Sequence, residues 1–152
     1  MNCGIDYRVR FFFLFSLLTA LAGCEEPPKT AEVSGTITMK GKPLQFVNVD
    51  FYPDVGPNAR GRTDENGRYE LRTMDQAYVL GAAIGANKVT LLDMWPARND
   101  VMEESGTVVD NSKGEKGRIS VKYADMGSTP LQFTVEGGKK NVFDIEVDPR
   151  GK

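Results

Sequence analysis

From residue 33 onward, apolar and polar side chains trade places at every second position. Val33, Gly35, Ile37 and Met39 fall on one face, and Ser34, Thr36 and Thr38 on the other. That period of two is the signature of a half-buried strand. It returns with Val47, Val49 and Phe51 against Asn48, Asp50 and Tyr52, and with Tyr69 and Leu71 between Arg68, Glu70 and Arg72. Further along, Val89 and Leu91 oppose Lys88 and Thr90. Leu131, Phe133 and Val135 oppose Gln132 and Thr134, and Phe143, Ile145 and Val147 oppose Asp144 and Glu146. After residue 24 no segment carries helical spacing. Turn residues separate the runs: Lys40-Gly41-Lys42-Pro43, Asp64-Glu65-Asn66-Gly67, and Gly137-Gly138 between the last two. These predict hairpins. A short extra strand near residues 59–63, paired across the Asp64 turn, brings the count to about seven. The pattern predicts an all-β, two-sheet sandwich over residues 32–148. Residues 74–85 break the rhythm, and so does a long loop at residues 95–118. The loop exceeds what a structural connection needs, and its Gly, Ser and charged residues predict mobility rather than a site.

The first 24 residues follow a different rule. Arg8 and Arg10 precede an uncharged run, FFFLFSLLTAL, and Leu21-Ala22-Gly23-Cys24 follows at once. Positive flank, apolar stretch and small residues together read as an export signal. As a helix, the uncharged run through Cys24 spans roughly 21 Å, short of the ~30 Å hydrocarbon core, so a permanent spanning helix is the weaker reading. The tetrad resembles the bacterial lipobox, in which the thiol takes a diacylglyceryl group, a peptidase cuts before it, and the new amine is acylated. The resemblance makes residues 1–23 a lipoprotein signal peptide and Cys24 the lipidated N-terminus. Several acyl chains, palmitate among them, anchor stably where one would not. Residues 24–31 read as a tether, because Pro27-Pro28 favours extended chain. Glu25 stands where enteric bacteria place the Asp that retains lipoproteins in the inner membrane. The expectation is an exported protein anchored to the cell envelope, in the outer rather than the inner membrane.

Composition narrows the function. The 152 residues carry 19 Lys and Arg against 21 Asp and Glu, with no His and two Cys. Loss of the leader removes Arg8, Arg10 and Asp6, leaving 17 basic and 20 acidic groups, a net charge of −3. There is no basic excess to draw nucleic acid. Without imidazole, Ser-His-Asp and Cys-His catalysis and His-containing zinc sites are excluded. A chain of this size builds one core without disulfide or metal.

The segments VSGTITMKGKPLQFVNVDFYP, GRTDENGRYEL, GANKVTLL and KYADMGSTPLQFTVEGGKKNVFDIEV together resemble the carboxypeptidase regulatory-like domains of bacterial lipoproteins, the planctomycete version most of all. Gly41-Lys42-Pro43 matches the family's turn after the first strand. Thr63-Asp64, Gly67 and Tyr69 match its Thr-Asp-x-x-Gly-x-Tyr motif, and Tyr123, Asp125, Leu131, Phe143 and Asp144 match its tail. Where the family has Pro-Gly-Glu-Tyr, this chain has Ile84-Gly85-Ala86-Asn87. The resemblance implies a seven-stranded, transthyretin-like (prealbumin-like) β-sandwich. In metallocarboxypeptidases the domain accompanies a catalytic domain, and transthyretin-like hydrolases depend on His. The expectation here is no enzyme and no cofactor.

Smaller signals resolve toward structure. Asp64, Asn66 and Gly67 have a fragment of calcium-loop spacing, without the closing Glu and between strands, so a β-turn is the reading and no metal site is expected. GAAIGANKVT lacks the ending of a phosphate loop. Glu103-Glu104 reads as a solvated pair. Trp95, Tyr78 and Tyr123 stand at or near strand ends, where aromatic rings could stack sugars, and are the candidate ligand contacts, although Trp95 reads first as a cap on the core against the long loop. Two functions follow: a noncatalytic, lipid-anchored module that binds or supports another envelope protein, or a carbohydrate-binding module for envelope glycan.

Overall fold

The computed structural model describes residues 29–75, 77–97, 100–102, 108–109 and 113–151. The expected signal peptide, with Leu21, Ala22 and Gly23, lies outside the described residues, as do Cys24 and Glu103-Glu104. Among those described, the chain is all-β with a single 3₁₀ turn at Val121–Tyr123. In chain order the strands are β1 (Thr30–Ala31), β2 (Val33–Met39), β3 (Lys42–Pro43), β4 (Val47–Pro53), β5 (Ala59–Arg62), β6 (Arg68–Glu70) and β7 (Arg72–Thr73). After these come β8 (Ala82–Ala83), β9 (Gly85–Asp93), β10 (Val101–Met102), β11 (Val108–Val109), β12 (Gln132–Val135), β13 (Asn141–Val142) and β14 (Ile145–Glu146).

Two open five-stranded sheets share one core. The first has the order β12-β9-β4-β5-β7 and is antiparallel throughout, with β4 and β9 as its spine from Val47↔Asp93 to Pro53↔Asn87. The second is built around β2, with β3 and β6 antiparallel along one edge and β13 and β14 parallel along the other. The predicted inward faces meet between them. Val47, Val49, Phe51, Val89, Leu91 and Val135 pack with Ile37, Tyr69, Ile145 and Val147, all buried. Each such large side chain withdrawn from water contributes about 1.5–3 kcal/mol. Phe51 stacks on Phe133 and Phe143, whose ring centroids are 4.5 Å apart.

The connections depart from simple hairpins. Lys40 and Gly41, with φ of 53° and 71°, make the left-handed two-residue turn between β2 and β3, as the twist of a two-residue hairpin demands. The chain then leaves this sheet through Phe46 at φ 62° and enters the other as β4. The strand after the Asp64 turn was expected to pair with the residues before it. Instead Tyr69 lies opposite Gly35 of β2, and only after fully buried Leu71 do Arg72 and Thr73 pair with β5. Burying Leu71 at the corner turns one continuous strand from one sheet to the other. Gly137-Gly138 also joins different sheets, since β12 pairs with β9 whereas β13 runs parallel to β2. The Asn141 side chain holds that crossing, accepting from Glu136 N and donating to the carbonyls of Glu136, Lys139 and Glu32. The residue 95–118 loop is not strandless: Val101↔Val109 and Met102↔Val108 form a separate two-stranded ladder.

Gly35 shows how closely the parallel edge approaches. A Cβ there would lie 2.0 Å from the Phe143 carbonyl oxygen. That oxygen accepts the Tyr69 hydroxyl at 2.8 Å, and Thr36 N donates to the Asp144 carboxylate at 2.8 Å, filling the gap between β13 and β14 with side-chain hydrogen bonds. Burial pushes the Tyr69 phenol above its ordinary range, and nearby Asp144 adds to the effect.

Strand directions place the loops at two ends. At one end lie the start of the described chain, the β4–β5 connection, residues 74–81 and the turn after β12. At the other lie the β2–β3 turn, the Asp64 turn, the two ends of the residue 95–118 loop and the C-terminal residues after β14.

Candidate functional site

The loop end carries the densest polar construction. Asp93 closes β9, and its side chain is only 3% exposed, yet Arg118, at the far side of the loop, reaches it with Nη2 at 2.7 Å. The same guanidinium donates to the Gln45 carbonyl at 2.6 Å. Both Arg118 N and Trp95 N donate to the Asp93 carboxylate. Burial alone pushes the carboxyl up, but the guanidinium and the two backbone N–H groups outweigh it and hold Asp93 below the usual carboxylate range. Arg118 also lies 4.6 Å from the centre of the Trp95 ring, and Phe46 meets that ring edge-on at 6.2 Å. A cation over one face and an aromatic edge against it make Trp95 part of the clamp that closes the loop's base.

Beside this clamp, the 3₁₀ turn delivers Tyr123 into the core at 4% exposure. Its hydroxyl donates to Asp148 Oδ2 at 3.0 Å and accepts from Asp148 N at 3.2 Å. Lys122 binds the same carboxylate, and hydrogen bonds from Lys122 and Tyr123 lower the Asp148 pKa. Asp125 accepts from Gly127 N at 2.7 Å and so shapes the turn that leads into β12. The Asp64 carboxylate likewise accepts from Asn66 N and Arg68 N at 2.9 Å, which makes the 64–67 segment a side-chain-capped turn. Among the described residues, no group of three or more Cys, Asp or Glu side chains is placed to hold a metal ion.

Tyr78 belongs to the opposite end. It is 63% exposed, sits at φ 44°, and has Arg72 5.3 Å from its ring centre. Thr73 and Asp75 tie its loop back, with Val79 N donating to Thr73 Oγ1 and Tyr78 N to Asp75. The three candidate aromatics are therefore not assembled into one platform. Trp95 is committed to the loop clamp, Tyr123 is buried, and Tyr78 alone presents an open ring.

The outer face of the first sheet holds polar groups the alternation did not foretell as buried. Asn48 and Asp50 are 7% and 5% exposed, although they alternate with core residues. Arg62 and Arg60, opposite them on β5, lie over the sheet and bind them: Arg62 Nε to Asn48 Oδ1 at 2.8 Å, and Arg60 to both Asp50 oxygens. A shallow cleft of about 230 Å³, lined by Glu32, Ser34, Glu70, Leu80 and Lys140 among others, opens beside β2. Sequence reasoning found Trp95 but missed Asp93 and Arg118. The two stand 25 residues apart, and the loop between them hides the pairing from any local pattern.

No protein-family model matches the chain, and no curated protein matches it. Among solved structures it is similar to BcpA, the major pilin subunit of Bacillus cereus, at 12% identity and a TM-score of 0.44. That match covers 80% of this chain and 30% of the pilin.

Proposed function

We propose that this chain is an exported, noncatalytic, lipid-anchored envelope module of the carboxypeptidase regulatory-like, transthyretin-like type, which holds a loop surface toward another envelope protein. The observation that carries this reading is the division between the two ends. The N-terminal chain joins at one end through β1, paired with β8. The residue 95–118 loop is fastened at the other by the part-buried pair of Arg118 with the buried Asp93 carboxylate, and by Trp95. A domain tethered through Cys24 would thus carry that loop on the side away from its anchor. The turn at Lys40-Gly41 and the capped turn that begins at Asp64 fall at the positions where the resemblance expects turns, which supports the family reading. Outer-membrane placement rests on Glu25.

Two arms test this. Wild type should enter a detergent phase, and Cys24→Ala should appear as uncleaved or soluble material; equal partitioning of both removes the anchor. In-cell crosslinking of the C-terminally tagged chain should recover one recurrent envelope protein. Replacing residues 98–112 with a short Gly-Ser linker should abolish that capture and leave the melting temperature nearly unchanged. Capture that survives the replacement would contradict the loop as the binding surface. The glycan reading needs an open aromatic platform; of the three candidate rings only Tyr78 is exposed, and Arg72 lies over it, so envelope polysaccharide should not retain the protein.

A further inference from the structure

The end where the N-terminal chain joins is unusually apolar. Val55, Met74, Tyr78, Val79, Leu80 and Ile84 lie there at 37–79% exposure, six of the ten exposed large apolar side chains among the described residues. They come from neighbouring segments: Met74 N donates to Asn58 O at 2.8 Å, linking residues 74–80 to the β4–β5 connection that carries Val55. Apolar side chains gathered on loop tips mark a surface that something covers.

The position of the chain's start indicates what does. Ile84 N donates to the Lys29 carbonyl at 2.9 Å, and Thr30 and Ala31 pair with Ala83 and Ala82. Only four residues separate Lys29 from Cys24, and even fully extended the five steps between them reach at most ~18 Å. We infer that this end docks onto the membrane surface beside the acylated Cys24, with the apolar loop tips seated in the lipid headgroup region and the residue 95–118 loop facing away. This rests on the lipid-anchor reading proposed above.

The chemistry of the patch suits that occupant. Tyrosine is enriched at membrane interfaces, where its amphipathic ring sits at headgroup level and its hydroxyl stays hydrated. Interfacial apolar faces sink about 5–10 Å, a depth that projecting loop tips match better than a flat sheet. Charge does not drive the contact: Lys29, Arg72, Lys139 and Lys140 are balanced by Glu32, Asp54, Asp75 and Glu136, and the Lys139–Glu136 and Lys140–Glu32 pairs are exposed. The surface should therefore bind neutral and anionic bilayers alike once the anchor brings it near.

The chain's single tryptophan supplies the control, since Trp95 lies at the far end. The full-length lipidated protein is reconstituted into phosphatidylethanolamine–phosphatidylglycerol vesicles whose acyl chains carry bromine, a contact quencher of indole. Wild type should keep nearly all of its Trp95 emission. Tyr78→Trp in a Trp95→Phe background should lose most of its emission, and Leu80→Trp in the same background is a second probe should the first misfold. Protein that floats with the vesicles while both new probes stay unquenched would overturn the inference and leave the anchor intact. An unquenched probe whose emission shifts to the blue as protein per vesicle rises would assign the patch to a second copy, and would also overturn it. Wild type and Cys24→Ser that both fail to float would remove the anchor, and the docking with it.

Discussion

At the loop end the chain is closed by a charge clamp, and at the N-terminal end chiefly by backbone, with short side-chain ties from Thr73, Asp75 and Asn141. Asp93, Arg118, Trp95 and Phe46 bind segments far apart in sequence through one buried carboxylate, with Lys122, Tyr123 and Asp148 beside them. The other end is held by the β1–β8 ladder, by Gly81 N donating to Leu71 O, and by close approaches only glycine permits. Side-chain clamps fix a loop of almost any composition, because they need only its two ends. Backbone ladders leave their side chains free to face outward, which is how Tyr78, Val79 and Leu80 remain exposed. One end thus holds a long loop by its base, and the other presents apolar tips.

The largest expected effect attacks the charge clamp. Arg118→Ala leaves the Asp93 carboxylate buried without its cation and should cost about 3 kcal/mol, read as a lower midpoint in urea. Next comes the backbone end. Gly81 has φ 110°, and a Cβ there would meet the Ala31 carbonyl oxygen at 2.0 Å. Gly81→Ala should cost about 2 kcal/mol, bounded because detaching β1 relieves the clash. Hydrogen exchange should then speed up at Ala82 and Ile84 and stay unchanged at Arg118.

Acid should separate the two ends further. Because the folded protein holds Asp93 below its ordinary value of 3.8, the folded state binds fewer protons than the unfolded state in that range. Its contribution is complete above about pH 4 and disappears as the pH falls through the lowered value. Asp93→Asn should flatten the acid limb of the stability curve below pH 4. Asp75, at the N-terminal end, is also lowered, chiefly by the Thr73 hydroxyl, but solvent screens it, so Asp75→Asn should change that limb little. The smallest effect is expected at the exposed patch: Tyr78→Ala should alter stability by less than about 0.5 kcal/mol, since it removes no buried contact.

The strands were legible because burial on one side of a sheet writes itself directly as alternation, and Val47, Val49, Phe51, Val89 and Leu91 are buried as their pattern predicts. Pairing was not legible. Gly137-Gly138 and the Asp64 turn announce a change of direction but carry no information about which sheet receives the next strand. That choice is made by Leu71 at the corner and by Asn141 and Phe143 against β2, contacts that span from 38 to 109 positions. Buried Asp50 also broke the rule that alternation exposes polar residues, because Arg60 covers it from the neighbouring strand. Trp95 stood out as a lone tryptophan at a loop base, whereas its cover by Arg118 belongs to the folded chain alone. Residues 74–85 were visible only as a break in the rhythm.

The two-ended arrangement is tested most directly by photo-crosslinking in the cell, with the reactive side chain placed once at Lys113 and once at Tyr78 of the otherwise intact protein. The account predicts that Lys113 joins one recurrent envelope protein while Tyr78 joins lipid. The reverse pattern, protein from Tyr78 and lipid from Lys113, would contradict it.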